Sequence, residues 1–467
     1  MSRKLAGLAA LFLVTRALTL FAYRDTYYSY GMIASQFAIA EAAYGGHAFS
    51  QDAVLASAAM DRAKVNRRFV PIEEWDSLER SGRYTTFPPQ DLPGFGYLIA
   101  TTSRWFGDRL TSRYALAIQV LSELASLLVF VSCVAAAYGQ RTAVLTGVAY
   151  SLAYPFIWPI ASLPIRDIFA LGTFASFMGA WFVFLRTREL WSFVASGVLV
   201  AIGSVLLWIR PSGYYYGAGL ALLTLFAGWR SVRARVGLMA LLILVPWLTF
   251  GYPYRHFNLR HYGTEDPDFL GRVLWVHMGI IKDNPYGFVQ RDDALVKWVR
   301  QHHGVDVDYG SPQMNRLLGD YAREVIRNDP GYFARTLLKR AFDMIRTPLD
   351  LVPPFPVAEF AGSGMRLPEY ARAYPGSFTY RVLNRAALTV FFYGGLVLTL
   401  RLARTRRAHW LDLAVLMSPL AFTVAVQLPT AFEQRYMATG AWVLVLPWAH
   451  SLDEWRRRRL ETFKMRG

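Results

Sequence analysis

Long apolar stretches separated by short polar connections dominate the chain. Each stretch approaches the length of about 20 residues that an α-helix needs to cross the hydrocarbon core of a bilayer. The pattern therefore predicts a mainly α, polytopic transmembrane helical bundle with about ten spans. The predicted spans are 5–22, 114–137, 142–161, 168–185, 191–209, 213–228, 236–251, 386–400, 411–428 and 437–449.

Two further apolar segments are predicted to lie in the membrane interface instead of crossing it. In the first, apolar residues recur at helical spacing over 27–40, and Gly45 and Gly46 end the pattern. The second runs over 94–106 after the chain-breaking Phe87-Pro88-Pro89 and is too short to span a bilayer. Both belong to the first external loop, 23–113, where interfacial helices are expected.

The sequence divides into three predicted units. Residues 1–253 form an N-terminal transmembrane core that includes the first external loop, and 381–467 form C-terminal transmembrane helices with a basic cytoplasmic tail. The polar segment 254–380 is predicted to be a small, mostly helical extracytoplasmic unit. Its helical stretch 330–345 places apolar and basic residues on separate faces, as expected of an amphipathic helix on a membrane surface.

The charge pattern predicts the orientation in the membrane. The chain has 467 residues, a net charge of +17 and a single cysteine, Cys133, which excludes an intrachain disulfide. Arginines fall in every second connection between spans, for example at Arg141, Arg186 and Arg401, and the positive-inside rule makes that side cytoplasmic. Segment 254–380 is nearly neutral, with 16 Lys/Arg and 15 Asp/Glu. The excess of basic over acidic residues therefore reflects the membrane topology, and it does not indicate nucleic-acid binding.

Acids and arginines collect on the opposite, external side of the predicted spans. They include Arg24 with Asp25, Arg166 with Asp167, and Arg210 before Pro211. A carboxylate in a cleft can act as general base, and arginines suit a phosphate leaving group whose charge grows during reaction. The sequence contains no Walker A, GxGxxG, HExxH or GxSxG motif.

The order of these motifs and their shared side of the membrane resemble those of the polytopic glycosyltransferases of the GT-C class. Within that class, the resemblance is to the protein-mannosyltransferase and aminoarabinose-transferase-like group, which is similar to glycosyltransferase family 39. The resemblance covers the first 250 residues well and the remainder loosely. In one departure, Thr26 follows Asp25 where the family pattern has a second acid. Four motifs carry the resemblance. They are Asp25 before an interfacial helix, Phe87-Pro88-Pro89 before a second one, Arg210-Pro211 at the end of a span, and Glu433-Gln434-Arg435-Tyr436 at the start of the last span.

The resemblance implies transfer of a sugar from a polyprenyl-phosphate-linked donor to an extracytoplasmic lipid, glycan or protein acceptor. It implies Asp25 as general base, and the rivals for that role are Asp167 in the next external loop and Glu41 or Asp91 further along the first loop. Asp167 could instead orient the acceptor or hold a divalent metal, although the sequence requires no cofactor. The implied phosphate-binding residues are Arg24, Arg166, Arg210 and Arg435, and the implied donor- or acceptor-lining residues are Tyr28, Tyr214 and Tyr436.

Two other functional classes stay open at this point. A multi-pass transporter or a flippase of lipid-linked sugars would carry charges in the middle of its spans, and Glu123 is such an acid. Such proteins also tend to contain internal repeats, and none is visible in this sequence. A non-enzymatic assembly scaffold would not need acids and arginines converging on one face.

Overall fold

In the computed structural model of the chain, helices form nearly all of the regular structure. The structure describes residues 2–22, 40, 54–55, 83–84, 94–107, 113–157, 166–186, 190–228, 231–262, 299–305, 312–346, 348–349, 372, 375–406, 409–428 and 434–464. Two short strands, β1 (Val54–Leu55) and β2 (Arg83–Tyr84), pair antiparallel with Val54 opposite Tyr84. The expectation of a mainly α protein is confirmed.

The helices of the first half are numbered here in chain order. They are α1 (Ser2–Ala22), α2 (Gly94–Phe106), α3 (Arg113–Tyr138), α4 (Gln140–Ile157), α5 (Phe169–Arg186), α6 (Leu190–Leu206), α7 (Tyr216–Thr224), α8 (Val232–Pro246) and α9 (Tyr252–Tyr262). Short 3₁₀ turns at Arg166–Ile168 and Pro211–Gly213 precede α5 and α7, and a π turn at Trp247–Gly251 joins α8 to α9.

The second half contains two polar helices and three that return to the bundle. The polar helices are α10 (Pro312–Asn328) and α11 (Pro330–Arg346). The others are α12 (Pro375–Thr405), α13 (Trp410–Gln427) and α14 (Gln434–Ala441), the last leading through the 3₁₀ turn Trp442–Leu444 into α15 (Val445–Lys464).

Within the described part of the chain, six helices are long and apolar enough to cross a membrane. They are Arg3–Phe21, Arg113–Tyr138, Arg166–Arg186, Val232–Phe257, Val382–Thr405 and Trp410–Gln427. The chain is therefore an integral membrane protein.

Four shorter or less apolar segments pack against these six helices. Helix α4 turns back from α3 at Gly139, which has a φ of 90° that glycine adopts readily. Helix α6 packs against α5, and α7 packs against α8. The segment α14–α15 runs from the Arg166–Ile168 turn, which α14 contacts, to Arg141, which pairs with Asp453. Six of the predicted spans are thus confirmed by length and apolarity among the described residues, and the count of about ten stays a prediction.

Ion pairs mark the two ends of the bundle. At the first end, here called the site end, Asp167 before α5 pairs with Arg210 after α6. The turn and helix Arg166–Arg186 contain 21 residues, or about 31 Å of helix, which matches the hydrocarbon thickness. Arg186 therefore lies at the opposite end, here called the arginine end, where its Nη2 donates to Asp412 at 2.7 Å.

Helix α5 is the central helix of the bundle. Its sequence carries no charge until Arg186, and nearly every side chain is buried, including Phe177 and Trp181. It packs against α3 and α6, and a Cβ at Gly203 of α6 would lie only 2.7 Å from the Phe177 ring. This tight packing fixes the start of α5, and with it Asp167.

A buried ion pair joins α1 to α3 in the interior of the bundle. Arg16 donates through Nε to Glu123 Oε2 at 2.9 Å and through Nη2 to Oε1, and the Tyr150 hydroxyl donates to Oε1 at 2.9 Å. Because ionised side chains are costly in the membrane interior, this satisfied cluster neutralises Glu123. Glu123 is the kind of mid-span acid that a transporter would need. In this structure it is the counter-ion of Arg16.

Candidate active site

The site is built around the ion pair between Asp167 and Arg210. Arg210 Nε lies 2.8 Å from Asp167 Oδ1, and both side chains are buried, as is the neighbouring Arg166. Three ionisable groups from two separate spans thus share one small region at the site end. Among the described residues, this region therefore brings together two arginines and one carboxylate.

The Arg210–Pro211 sequence explains how Arg210 reaches this region. Helix α6 tightens in its last turn, where Leu207 N donates to Ser204 O and Ile209 N donates to Leu206 O. Proline restricts the residue before it to extended backbone, and Arg210 has φ −139° and ψ 100°. The chain therefore leaves the helix at Arg210, whose side chain turns toward α5.

An aromatic cluster holds the chain on both sides of Arg210. The Trp208 indole donates to Thr249 O in the π turn at 3.0 Å, and its ring lies 5.5 Å from that of Phe250. Tyr214, expected to line the donor or the acceptor, also packs on Phe250 at 5.5 Å, and Tyr254 stacks on Phe250 at 5.4 Å. Tyr214 thus lies four residues after Arg210 in a packed, partly buried position.

Helix α14 brings a third expected segment to the same place. It contacts the Arg166–Ile168 turn, and Arg435 and Tyr436 lie in its first turn. Three of the sequence motifs, at 166–167, at 210 and at 434–436, therefore converge at the site end. Arg24, Asp25 and Tyr28 lie outside the described residues, so their roles stay predictions.

The interfacial helix α2 forms one border of the site. It occupies the predicted residues 94–106, and its Phe95 ring lies 5.9 Å from that of Phe169 at the start of α5. A Cβ at Gly94 would lie 2.2 Å from Trp208 O, so only glycine allows the backbones to approach this closely. Sequence reasoning found the helix but missed Gly94 and Trp208 as the residues that dock it.

No group of three or more His, Cys, Asp or Glu side chains that could hold a metal ion occurs among the residues placed by the structure. The described site supplies one carboxylate, Asp167, already paired with Arg210.

Comparison with known proteins gives matches in fold alone. No protein-family model and no curated protein sequence matches the chain. The oligosaccharyltransferase of Archaeoglobus fulgidus in its apo form matches with a TM-score of 0.50 and 12% identity, over 99% of this chain and 52% of that protein. Archaeal oligosaccharyltransferase AglB from the same organism, in complex with an inhibitory peptide and a dolichol-phosphate, matches with a TM-score of 0.50 and 13% identity, over 98% and 51%.

A third similar structure is ArnT from Cupriavidus metallidurans bound to undecaprenyl phosphate. It matches with a TM-score of 0.36 and 13% identity, over 95% of this chain and 78% of that protein. The chain spans about half the length of the oligosaccharyltransferase structures it matches. The likeness to these oligosaccharyltransferases is one of fold alone, and it agrees with the expected polytopic helical membrane architecture.

Proposed function

We propose that the chain is a membrane glycosyltransferase that transfers a sugar from a polyprenyl-phosphate carrier to an extracytoplasmic acceptor. The observation that carries this proposal is the buried Asp167–Arg210 pair beside Arg166 at one end of a GT-C fold. A lipid phosphate leaving group needs cations where its charge develops. The dolichol-phosphate in the AglB complex supports a lipid-phosphate ligand for this fold.

In the proposed reaction, an acceptor hydroxyl attacks the anomeric carbon of the sugar. The new bond joins that carbon to the acceptor oxygen, the bond from the carbon to the phosphate oxygen breaks, and polyprenyl phosphate leaves. The hydroxyl proton passes to a general base, for which we propose Asp25. Asp167 is the weaker candidate because its carboxylate already binds Arg210, which suits a residue that positions the phosphate-binding arginine.

We assign phosphate binding to Arg210 and Arg166, assisted by Arg24 and Arg435. Tyr28, Tyr214 and Tyr436 are proposed to line the donor or acceptor. The active site is proposed to face the extracytoplasmic side, because the arginine end carries the basic connections expected in the cytoplasm.

In a Cys133→Ala background, cysteines at Ser50 and Ser311 should label with impermeant reagent in intact cells. Labelling of a cysteine at Ser231 would show that the chain has the opposite orientation in the membrane.

Mass spectrometry of envelope glycans and polyprenyl-linked sugars, with and without the gene, tests the proposal. Loss of one sugar from an envelope component, with accumulation of the lipid-linked form of that sugar, is the expected result. Re-expression of the intact chain should reverse both changes, whereas the Asp25→Asn variant should reverse neither. An unchanged envelope and an unchanged lipid-linked pool in the deletion strain would contradict it.

A further inference from the structure

Helix α11 exposes a stripe of large apolar side chains. Leu338, Phe342 and Ile345 are 70%, 60% and 63% exposed. They are four and three residues apart, so they lie on one face of the helix. Three exposed large apolar residues on one helix face mark an interaction surface more strongly than scattered ones do.

A basic strip runs beside this apolar stripe on the same helix. It consists of the exposed residues Arg335, Lys339 and Arg346. The sequence predicted apolar and basic residues on separate faces of this helix, and Arg340 departs from that separation. Arg340 lies on the buried face with Met344 and donates to Leu428 O at the end of α13, 3.3 Å away. Burial lowers the pKa of Arg340 to about 9.

The C-terminal end of α11 lies beside a membrane span. The Tyr393 hydroxyl of α12 donates to Ile345 O, and Tyr393 lies 11 residues after Val382, the first residue of that span. Met344 and Leu349 belong to the main core cluster of the bundle. The end of α11 therefore packs against the bundle beside a candidate span.

We propose that α11 docks onto the bilayer leaflet at the site end. The apolar stripe inserts among acyl chains, and the basic strip binds lipid phosphate groups. Two observations favour a lipid surface: the contact between Ile345 and the candidate span that carries Tyr393, and a basic strip that complements lipid phosphates. Interfacial helices bind through this combination of buried apolar area and electrostatic attraction. The transferase chemistry of the site is not needed for this docking.

Site-directed fluorescence in liposomes tests the docking. In a Cys133→Ala background, an environment-sensitive probe is attached to single cysteines at Leu338 and Phe342. The control is Glu324, an exposed residue of α10. Nitroxides on lipid acyl chains should quench the two stripe probes at least about twofold more than the control, and aqueous cobalt should quench the control instead. Equal cobalt quenching at all three positions would overturn the proposal.

Protection of both stripe probes from both quenchers would also overturn it, since that result means that protein covers the stripe. Crosslinking between single cysteines at Phe342 would then identify a second copy as the cover. The basic strip is tested by comparing membranes of phosphatidylglycerol and phosphatidylcholine. The probe at Phe342 should report a more apolar environment in phosphatidylglycerol, and Lys339→Glu should remove that difference. No difference between the two lipids in the unaltered helix would exclude electrostatic attraction of the basic strip to anionic lipid phosphates.

Discussion

Asp167 and Arg210 form a buried ion pair, with Arg210 Nε 2.8 Å from Asp167 Oδ1, between the start of α5 and the end of α6. A carboxylate that neutralises an arginine in this way prepares it for a second anion without leaving a lone charge in the membrane. A lipid phosphate entering the site would meet Arg210 already oriented by Asp167. Pre-orientation of this kind lowers the cost of binding.

Replacement of Arg210 tests phosphate recognition. We expect Arg210→Ala to weaken binding of polyprenyl phosphate by about 2–3 kcal/mol, roughly 30- to 150-fold, because a charge-assisted contact is lost. Arg210→Lys should recover only part of the affinity because lysine lacks the planar two-pronged donor set. Native mass spectrometry of the purified protein measures the binding. Arg323→Ala, at a surface arginine, is the control and should bind normally.

The Arg210→Ala variant could bind polyprenyl phosphate as tightly as the unaltered chain. That result would show that the phosphate does not bind at Arg210. Polyprenol, which has the same tail without the phosphate, separates tail binding from phosphate binding. A loss of affinity that is equal for both lipids would mean that the substitution damaged the fold.

Substitution of the two acids separates the general base from the positioning residue. Asp25→Asn keeps the side-chain shape and removes the proton acceptor, so turnover should fall by about 10² or more while donor binding survives. Asp167→Asn should instead raise the KM for the donor because Arg210 loses its partner. Near-normal turnover in folded Asp25→Asn protein, with Asp167→Asn inactive, would assign the base to Asp167.

The spans could be predicted because length and hydrophobicity are local properties of the sequence. Helix α2 was predicted at 94–106 and occurs there, and the span predicted at 114–137 occurs as Arg113–Tyr138. The convergence of the 166–167, 210 and 434–436 segments was also anticipated, since spans that alternate in direction return to the same end. The domain boundaries stay a prediction.

The side-chain pairings could not be predicted, because they depend on contacts between distant parts of the chain. Arg16 and Glu123 are 107 residues apart, and neither residue's own span indicates which helix faces it. A signal was nevertheless present: a single arginine and a single acid within two apolar spans must find partners in the membrane. The burial of Arg340 could not be predicted for a related reason, since the helix periodicity alone does not show which face the bundle covers.

The Arg16–Glu123 pair predicts a large stability effect. Glu123→Gln would remove the carboxylate that pairs with the buried Arg16, and we expect a loss of about 3–5 kcal/mol in unfolding free energy. The double variant Arg16→Met with Glu123→Met should recover most of that loss. Asp320→Asn, which breaks the exposed Arg323–Asp320 pair of 3.0 Å, should cost under about 1 kcal/mol.

Unfolding of the purified protein in detergent measures both effects. A Glu123→Gln variant that kept its stability and lost only activity would contradict the structural role. It would also revive the transporter alternative, in which a mid-span acid moves protons or ions.

Gly94 predicts an effect on the docking of α2. A Cβ there would meet Trp208 O at 2.2 Å, so Gly94→Ala should cost about 1–3 kcal/mol and displace α2 from the site. Gly219→Ala is the matched control, because nothing lies within 4 Å of its Cβ position. Thermal unfolding and donor KM should both change for the first variant and stay unchanged for the second. Unchanged values for Gly94→Ala would show that α2 does not depend on this contact.

The most direct test of the central claim follows the bond between sugar and phosphate. Purified protein is added to permeabilised membrane vesicles from a deletion strain, which contain both the lipid-linked donor and the acceptor. Liquid chromatography with mass spectrometry then measures the lipids. We expect lipid-linked sugar to fall and free polyprenyl phosphate to rise by an equal amount, with no change for Asp25→Asn. A lipid-linked sugar that stayed intact in the presence of folded, unaltered protein would contradict the proposed glycosyltransferase activity.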